Sequence, residues 1–153
     1  MSPQLAVMIF SLQGAVMAVD EFRFHRSRGL PAWERWGHPA DTLSLLLCLG
    51  AALIFPAQAP WTQAYFALAV LSCLMVTKDE WVHREACLPG EQWLHALLFL
   101  LHPVLLWAAY RLWMQGGDGS ARVLLKTEAV LAASFLAYQT VYWNFRWREK
   151  SAP

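Results

Sequence analysis

Charged residues are scarce in this chain, and other absences narrow its class further. Asp, Glu, Lys and Arg make up 15% of its 153 residues, and the formal net charge is +1 without a basic run, so we predict no nucleic-acid partner. Three cysteines do not make a disulfide framework. The N-terminus lacks the basic residues of a signal peptide, so we expect residues 5–19 to form a retained helix.

Apolar residues, in contrast, are abundant. They form 58% of the chain, and the mean hydropathy of +0.33 indicates an integral membrane protein. The apolar segments are 5–19, 42–55, 64–76, 94–113 and 123–143. Fifteen residues at about 1.5 Å each fall short of the roughly 30 Å hydrocarbon core, so flanking residues must complete the spans. We therefore predict an all-α, polytopic membrane protein with five transmembrane helices in a single domain, residues 1–153.

One motif, containing Asp-Glu, His, Leu-Pro and Glu-x-x-x-His in that order, occurs twice. The first copy is DEFRFHRSRGLPAWERWGH at residues 20–38, and the second is DEWVHREACLPGEQWLH at residues 79–95. Because each copy joins two apolar segments, we predict a tandem two-helix repeat, residues 1–58 and 61–115, that forms a four-helix bundle with approximate twofold symmetry. An extra helix, residues 122–145, is predicted to pack outside it.

Positive charges are unevenly divided between the two ends of the predicted helices. The end without the motifs carries only Arg111, Arg122 and Lys126. The end with both motif copies carries Arg23, Arg26, Arg28, Arg35, Lys78, Arg84, Arg146, Arg148 and Lys150. The positive-inside rule therefore predicts that the motifs and the C-terminus face the cytoplasm and the N-terminus lies outside, in a bacterial inner membrane.

Carboxylate and imidazole groups are costly to desolvate, so their presence in a membrane setting indicates a binding site. Glu and His residues three or four positions apart share a helix face, and four such pairs would converge in the predicted bundle. The predicted metal ligands are Glu21, His25, Glu34, His38, Glu80, His83, Glu91 and His95. Three aspartates are predicted to hold imidazole N–H groups from behind the ligands. These are Asp20, Asp41 and Asp79.

Four Glu and four His exceed the needs of one tetrahedral ion and suit two ions, iron first, with zinc or manganese as alternatives. The set resembles the ferritin-like di-iron carboxylate proteins, in which two helices supply Glu and two supply Glu-x-x-His. The resemblance covers the motif segments and the helix count, and it implies a di-iron centre in a four-helix bundle. Three of the four pairs here depart from it in having Glu-x-x-x-His spacing. The membrane desaturases are also similar in histidine richness, but their His-x-x-x-His boxes are absent.

Three functional hypotheses follow from a metal centre of this kind. In the first, a di-iron oxidoreductase acts on a membrane lipid or lipophilic small molecule at the cytoplasmic face, with a redox partner and with Glu34 and Glu91 as catalytic residues. In the second, the same groups transport or sense divalent metal or protons, and Gln13, His102 and Glu128 extend the path. In the third, the metal is structural. Clustering of the ligands at one end favours the first. The alternative without metal is pairing of the acids with nearby arginines.

Overall fold

The computed structural model describes residues 1–78, 80, 87–116 and 119–147. Five helices and no strand are found in this part of the chain, which confirms the all-α prediction for it. The helices are α1 (Pro3–Arg28), α2 (Ala32–Ile54), α3 (Trp61–Met75), α4 (Pro89–Trp113) and α5 (Ser120–Val141). Within α1, Asp20–His25 are π-helical, and a second π-helical turn, Tyr142–Arg146, follows α5.

Three of these helices, α1, α2 and α4, are long and apolar enough to cross a membrane. Helix α3 has 15 residues, which at about 1.5 Å each extend roughly 22 Å and fall short of the hydrocarbon core. Helix α5 has 22 residues but carries Arg122, Lys126 and Glu128 in its first half. The helices are therefore compatible with a membrane protein, while five spans and their orientation stay predictions.

The turns that precede α2 and α4 use the Leu-Pro pairs of the motif. Gly29, with φ of +78°, breaks the chain direction after α1, and Pro31 immediately precedes α2. Leu30 between them is buried at 2% exposure and anchors the turn. Pro89 is the first residue of α4, where its missing N–H would have no helical partner in any case.

The bundle is a ring of four helices in which α1 packs against α4, α4 against α2, α2 against α5 and α5 against α1. The α2–α5 contact is the most extensive, and α3 packs against α2 and α4 on the outside. The prediction that the fifth helix lies outside a bundle of the first four is therefore wrong, because α3 takes that place. The twofold symmetry and the repeat boundaries stay predictions, since residues 79 and 81–86 of the second motif lie outside the described residues.

An apolar core fills the part of the bundle away from the first motif. It includes Leu49, Tyr65, Leu105, Leu112 and Leu125, all at most 1% exposed. The Tyr65 hydroxyl donates to the Leu106 carbonyl at 2.7 Å, so this buried polar group is satisfied. Large apolar side chains also cover the outer faces of the helices, as expected where lipid is the solvent. Examples are Met8, Leu12, Ile54, Leu74, Leu100 and Val130.

Candidate metal centre

The π-helical segment of α1 sets the position of three titratable side chains from the first motif. In an α-helix, positions i and i+5 differ by roughly 140° around the axis, so Asp20 and His25 would point apart. A π-helical turn, whose hydrogen bonds run from i to i+5, brings them together. His25 Nε2 lies 3.2 Å from Asp20 Oδ2, and His25 Nδ1 lies 3.4 Å from Glu21 Oε2. One imidazole therefore contacts both acids of the Asp-Glu pair.

Asp20 and His25 meet Glu91 and His95 from the first two turns of α4. One potential ligand atom from each of these four buried residues lies within 4.8 Å of the other three. His95 Nε2 is 3.1 Å from Asp20 Oδ2, and His25 Nε2 is 3.5 Å from Glu91 Oε1. This four-residue group could hold a metal ion, and its oxygen and nitrogen donors suit divalent transition metals.

His25 also belongs to a second group, with Glu34 and His38 from α2. The rings of His25 and His38 stack with their centroids 4.7 Å apart, and His38 Nε2 lies 3.9 Å from Glu34 Oε2. Glu34 is fully buried. Because both groups contain His25, they lie side by side at one end of the bundle.

Asp20 Oδ1 and His25 Nε2 in the four-residue group are buried and have no hydrogen-bond partner among the described residues. A protonated His25 would donate a hydrogen bond from Nε2, yet its contact with Asp20 lacks hydrogen-bond geometry. Unsatisfied buried polar atoms are uncommon, and a metal ion would use both atoms as ligands. The arrangement therefore fits a metal ion better than a purely ionic cluster.

The balance of buried charge points in the same direction. Asp20, Glu21, Glu34 and Glu91 are all buried, and Arg28 contacts two of them. Arg28 Nη2 donates to Glu34 Oε2 at 2.6 Å, and Arg28 Nε donates to Glu91 Oε1 at 2.8 Å. With neutral histidines, the described residues of this site contribute four carboxylates and one guanidinium, which sum to three negative charges. Because uncompensated buried charge is costly, divalent cations would stabilise this centre.

Glu21 lies behind His25 and belongs to neither group. Its Oε1 accepts hydrogen bonds from Trp143 Nε1 at 2.6 Å and from the Tyr138 hydroxyl at 3.0 Å, while Oε2 faces His25 Nδ1. A carboxylate on the Nδ1 side favours a proton there and leaves Nε2 directed at the group. Relative to the sequence prediction, the structure exchanges the two acids: Asp20 is in the group, and Glu21 is behind the imidazole.

The remaining predicted site residues are not brought into these groups. Glu80 is exposed and outside both of them, which differs from its predicted role as a ligand. His83 and Asp79 lie outside the described residues. Asp41, predicted to hold an imidazole, forms an ion pair with Lys78 at 2.7 Å.

Three residues that contact the site were not predicted from the sequence: Arg28, Trp143 and Tyr138. Only Arg28 has a sequence spacing that indicates its position. Arg28 follows His25 by three residues, which places both on one helix face. The sequence indicates the nearby arginines only as ion-pair partners of the acids in a site without metal. Trp143 and Tyr138 reach Glu21 from the end of α5. Their approach depends on packing between distant helices, so no spacing in the sequence indicates it.

Cys87 lies beside the centre, with its Sγ 3.7 Å from Arg28 Nη2. Burial raises the pKa of the Cys87 thiol to about 12, so the group is protonated at neutral pH. Cys87 belongs to neither of the two groups that could hold a metal ion.

A cavity of about 90 Å³ adjoins the four-residue group. Asp20, His25 and His95 line one end of it, and Gln13 and His102 line the other. The wall between them is largely apolar and includes Leu45, Leu98, Phe99 and Phe135. A larger, mostly apolar groove of about 340 Å³, lined by residues of α1, α2 and α5 that include Glu128, shares four lining residues with this cavity. The shared residues are Met17, Thr42, Leu45 and Phe135.

Comparisons of this chain with protein-family models, curated proteins and solved structures find no match. The likeness to ferritin-like proteins therefore rests on the motif residues and the helical bundle alone. What the chain itself establishes is an all-helical protein with apolar helices and a buried carboxylate–histidine group that could hold a metal ion.

Proposed function

We propose that this protein is a membrane-embedded metalloenzyme, an oxidoreductase that uses two metal ions, iron first, on a lipophilic substrate. The observation that carries the proposal is that three residues of the buried four-residue group line a cavity. Structural metal sites are closed by protein ligands, whereas catalytic sites keep a position open to substrate or water. Asp20, His25 and His95 face this cavity, so a metal held by them would be accessible from it.

The division of labour in this proposal follows the two groups. Asp20, His25, Glu91 and His95 would hold one ion, and Glu34 and His38 would hold the other together with His25 or a carboxylate from the first group. Glu21 orients His25, and Arg28 holds Glu34 and Glu91 toward the centre. Arg28 and the metal ions would together neutralise the four buried carboxylates. Arg28 would therefore complement the metal and not replace it.

The surroundings support a lipophilic substrate over a soluble one. The cavity adjoins the groove on α1 and α5, with which it shares four lining residues. Apolar side chains also cover the outer helix faces, so a membrane-dissolved molecule could reach the groove from the lipid. When bound, an iron pair supplies dioxygen activation. Hydroxylation would insert one oxygen atom into a C–H bond and reduce the other to water, with two electrons from a separate redox partner and two protons from solvent.

Metal content is the first test. Protein purified without chelator should contain about two transition-metal ions per chain, because two adjoining ligand groups are present. His95→Ala removes a ligand of the first group only, and His38→Ala removes one of the second only, so each should lower the content to about one ion. Glu80→Ala, at an exposed acid outside both groups, is the matched control. Recovery of no metal from the native protein would end the proposal.

Reactivity with oxygen distinguishes an enzyme from a protein in which the metal is only structural. Dioxygen is added to the anaerobically reduced, iron-loaded protein, and its oxidation is followed spectroscopically alongside mass spectrometry of lipid extracts. In the enzyme, Glu34→Ala and Glu91→Ala should abolish oxidation while the bundle remains assembled. If the metal is only structural, the same substitutions should unfold the bundle, since metal-binding free energy is then folding free energy. A ferrous centre inert to oxygen, with unchanged lipids in cells lacking the protein, would favour transport or a structural role.

A further inference from the structure

We infer that the cavity beside the metal centre contains a subsite for a hydroxyl group, with Gln13 Oε1 as its hydrogen-bond acceptor. The inference deepens the proposed function, because it takes the occupant to be the lipophilic substrate. Gln13 lies on α1 two turns before Asp20 and is only 3% exposed. Its Oε1 is buried without a hydrogen-bond partner among the described residues, and its side chain lines the cavity.

The direction of the hydrogen bonds behind Gln13 can be followed from Ser44. The Ser44 hydroxyl donates its single hydrogen to the Asp41 carbonyl at 2.7 Å, so toward Ser72 Oγ, 2.8 Å away, it can only accept. Ser72 thereby uses its own hydrogen. It must then accept from His102 Nε2, which lies at 2.8 Å.

This direction determines the tautomer of His102. With its hydrogen on Nε2, the neutral ring accepts at Nδ1, where Gln13 Nε2 lies at 3.3 Å. The Gln13 amide is therefore held with its NH₂ group toward His102 and its oxygen toward the cavity. Residues from α1, α2, α3 and α4 share this relay, so the acceptor is fixed by the whole bundle and not by a single side chain.

A buried acceptor of fixed orientation selects a ligand group that donates. Leu45, Leu98 and Phe99 form an apolar part of the cavity wall, and an acceptor beside apolar surface fits an alcohol. At about 90 Å³ the cavity is smaller than the roughly 150 Å³ engineered cavity that binds benzene, so it accommodates only the hydroxyl-bearing end of a larger molecule. The rest would extend along the groove of α1 and α5. With the hydroxyl held by Gln13 at one end of the cavity, carbons further along the molecule would lie toward the four-residue group at the other end.

The test uses 1-butanol and diethyl ether, which are isomers that differ in their ability to donate a hydrogen bond. The zinc-loaded protein, with ¹⁵N in glutamine and histidine, is titrated with each probe, and the side-chain signals of Gln13 and His102 are followed. We expect a saturable shift with 1-butanol only. Gln13→Leu should weaken the binding seen at His102 by about three- to tenfold, the effect of one hydrogen bond. Gln4→Leu, at an exposed position of the same helix, should leave it unchanged.

Ser72→Ala gives a second, independent variant, because it keeps Gln13 and removes only the group that directs His102. It should produce a mixture of His102 tautomers and the same loss of 1-butanol affinity. Equal responses to both probes, or no saturable response, would mean that the cavity is only hydrated and would overturn the inference. Zinc content is measured in the same samples. Saturable binding of 1-butanol to protein that retains no zinc would overturn the proposed function instead and leave the subsite standing.

Discussion

Glu21 shows how a residue outside the ligand groups can control them. Its carboxylate has one oxygen on His25 and the other on two hydrogen-bond donors from α5, Trp143 and Tyr138. A ligand imidazole whose second nitrogen is held in this way is fixed in tautomer and in ring orientation. The strength of the metal site therefore depends on donors that lie on a different helix from the ligands.

Trp143→Phe should weaken metal binding by about tenfold to a hundredfold, because it leaves the buried Glu21 carboxylate without its shortest hydrogen bond. Competition with a chelator of known affinity measures the change. Trp107→Phe is the control, since Trp107 is 52% exposed on the outer face of α4. Equal affinity in both variants would show that Glu21 does not act through His25.

At the level of single residues, the sequence predicts ligand types better than ligand roles. Spacing placed Glu34 with His38 and Glu91 with His95 on common helix faces, and the structure brings these residues together with His25. Spacing could not assign Asp20 and Glu21 correctly, because the assignment depends on whether the turn is α- or π-helical. That choice is made by packing against α4 and α5, which no local pattern contains.

The connection between α1 and α2 depends on Gly29. Its φ of +78° lies in the region that favours glycine, and a Cβ there would lie 2.6 Å from Trp147 Cζ2. Trp147 in turn lies directly after the π-helical turn that follows α5. This glycine therefore allows the first motif to pack against the end of the fifth helix.

Gly29→Ala should lower the free energy of unfolding by about 1–3 kcal/mol, through backbone strain and displacement of Trp147. Gly14→Ala is a matched control on α1, because a Cβ at Gly14 would meet nothing within 4 Å. It should be neutral or stabilise the helix by up to about 1 kcal/mol. Thermal unfolding in detergent compares the two variants. A Gly29→Ala protein as stable as the Gly14→Ala protein would contradict the close contact.

Helix α2 contains a proline, and a distant side chain replaces the hydrogen bond that this proline removes. Pro39 lies inside α2, where a proline commonly kinks or breaks a helix, yet α2 runs unbroken from Ala32 to Ile54. Proline removes the donor to the carbonyl four residues earlier, which belongs to Arg35. Asn144 Nδ2 donates to that carbonyl at 3.0 Å and replaces the missing bond. The donor comes from the far end of the chain, so the sequence around Pro39 gave no indication of it.

At the scale of the whole molecule, helix arrangement was the least predictable feature. The motif repeat favoured pairing of the first four helices, yet α5 belongs to the ring and α3 flanks it. Helix α5 supplies Tyr138 to the centre and Gln139 to Thr42 of α2, a hydrogen bond of 2.8 Å. Buried polar groups that need hydrogen-bond partners thus favour the position of α5 in the ring. The hydropathy of the sequence does not show which helix supplies these partners.

Charge balance across the bundle gives a prediction at the same scale. Arg28→Met removes a guanidinium that contacts both Glu34 and Glu91, so the bundle should lose more stability without metal than with it. The midpoint of thermal unfolding, measured with and without bound metal, reports the difference. Arg23→Met, at an exposed site on the same helix, should lower both midpoints equally or not at all. A larger fall of the unfolding midpoint in the metal-loaded protein would mean that Arg28 and the metal do not both neutralise the buried carboxylates.

The π-helical turn of α1 makes the first motif tolerant of a change in chain length. A turn closed from i to i+5 holds one residue more than the α-helical turn it replaces. Loss of the exposed Phe22 would leave Asp20 and His25 four residues apart, a spacing that a regular α-helical turn also places on one helix face. Loss of a residue from a regular α-helical turn of α1 would instead rotate the two parts of the helix by about 100° relative to each other. Single-residue deletions should therefore be less damaging in this segment than elsewhere in α1. In a family tree of this protein, the spacing from Asp20 to His25 would vary between four and five residues.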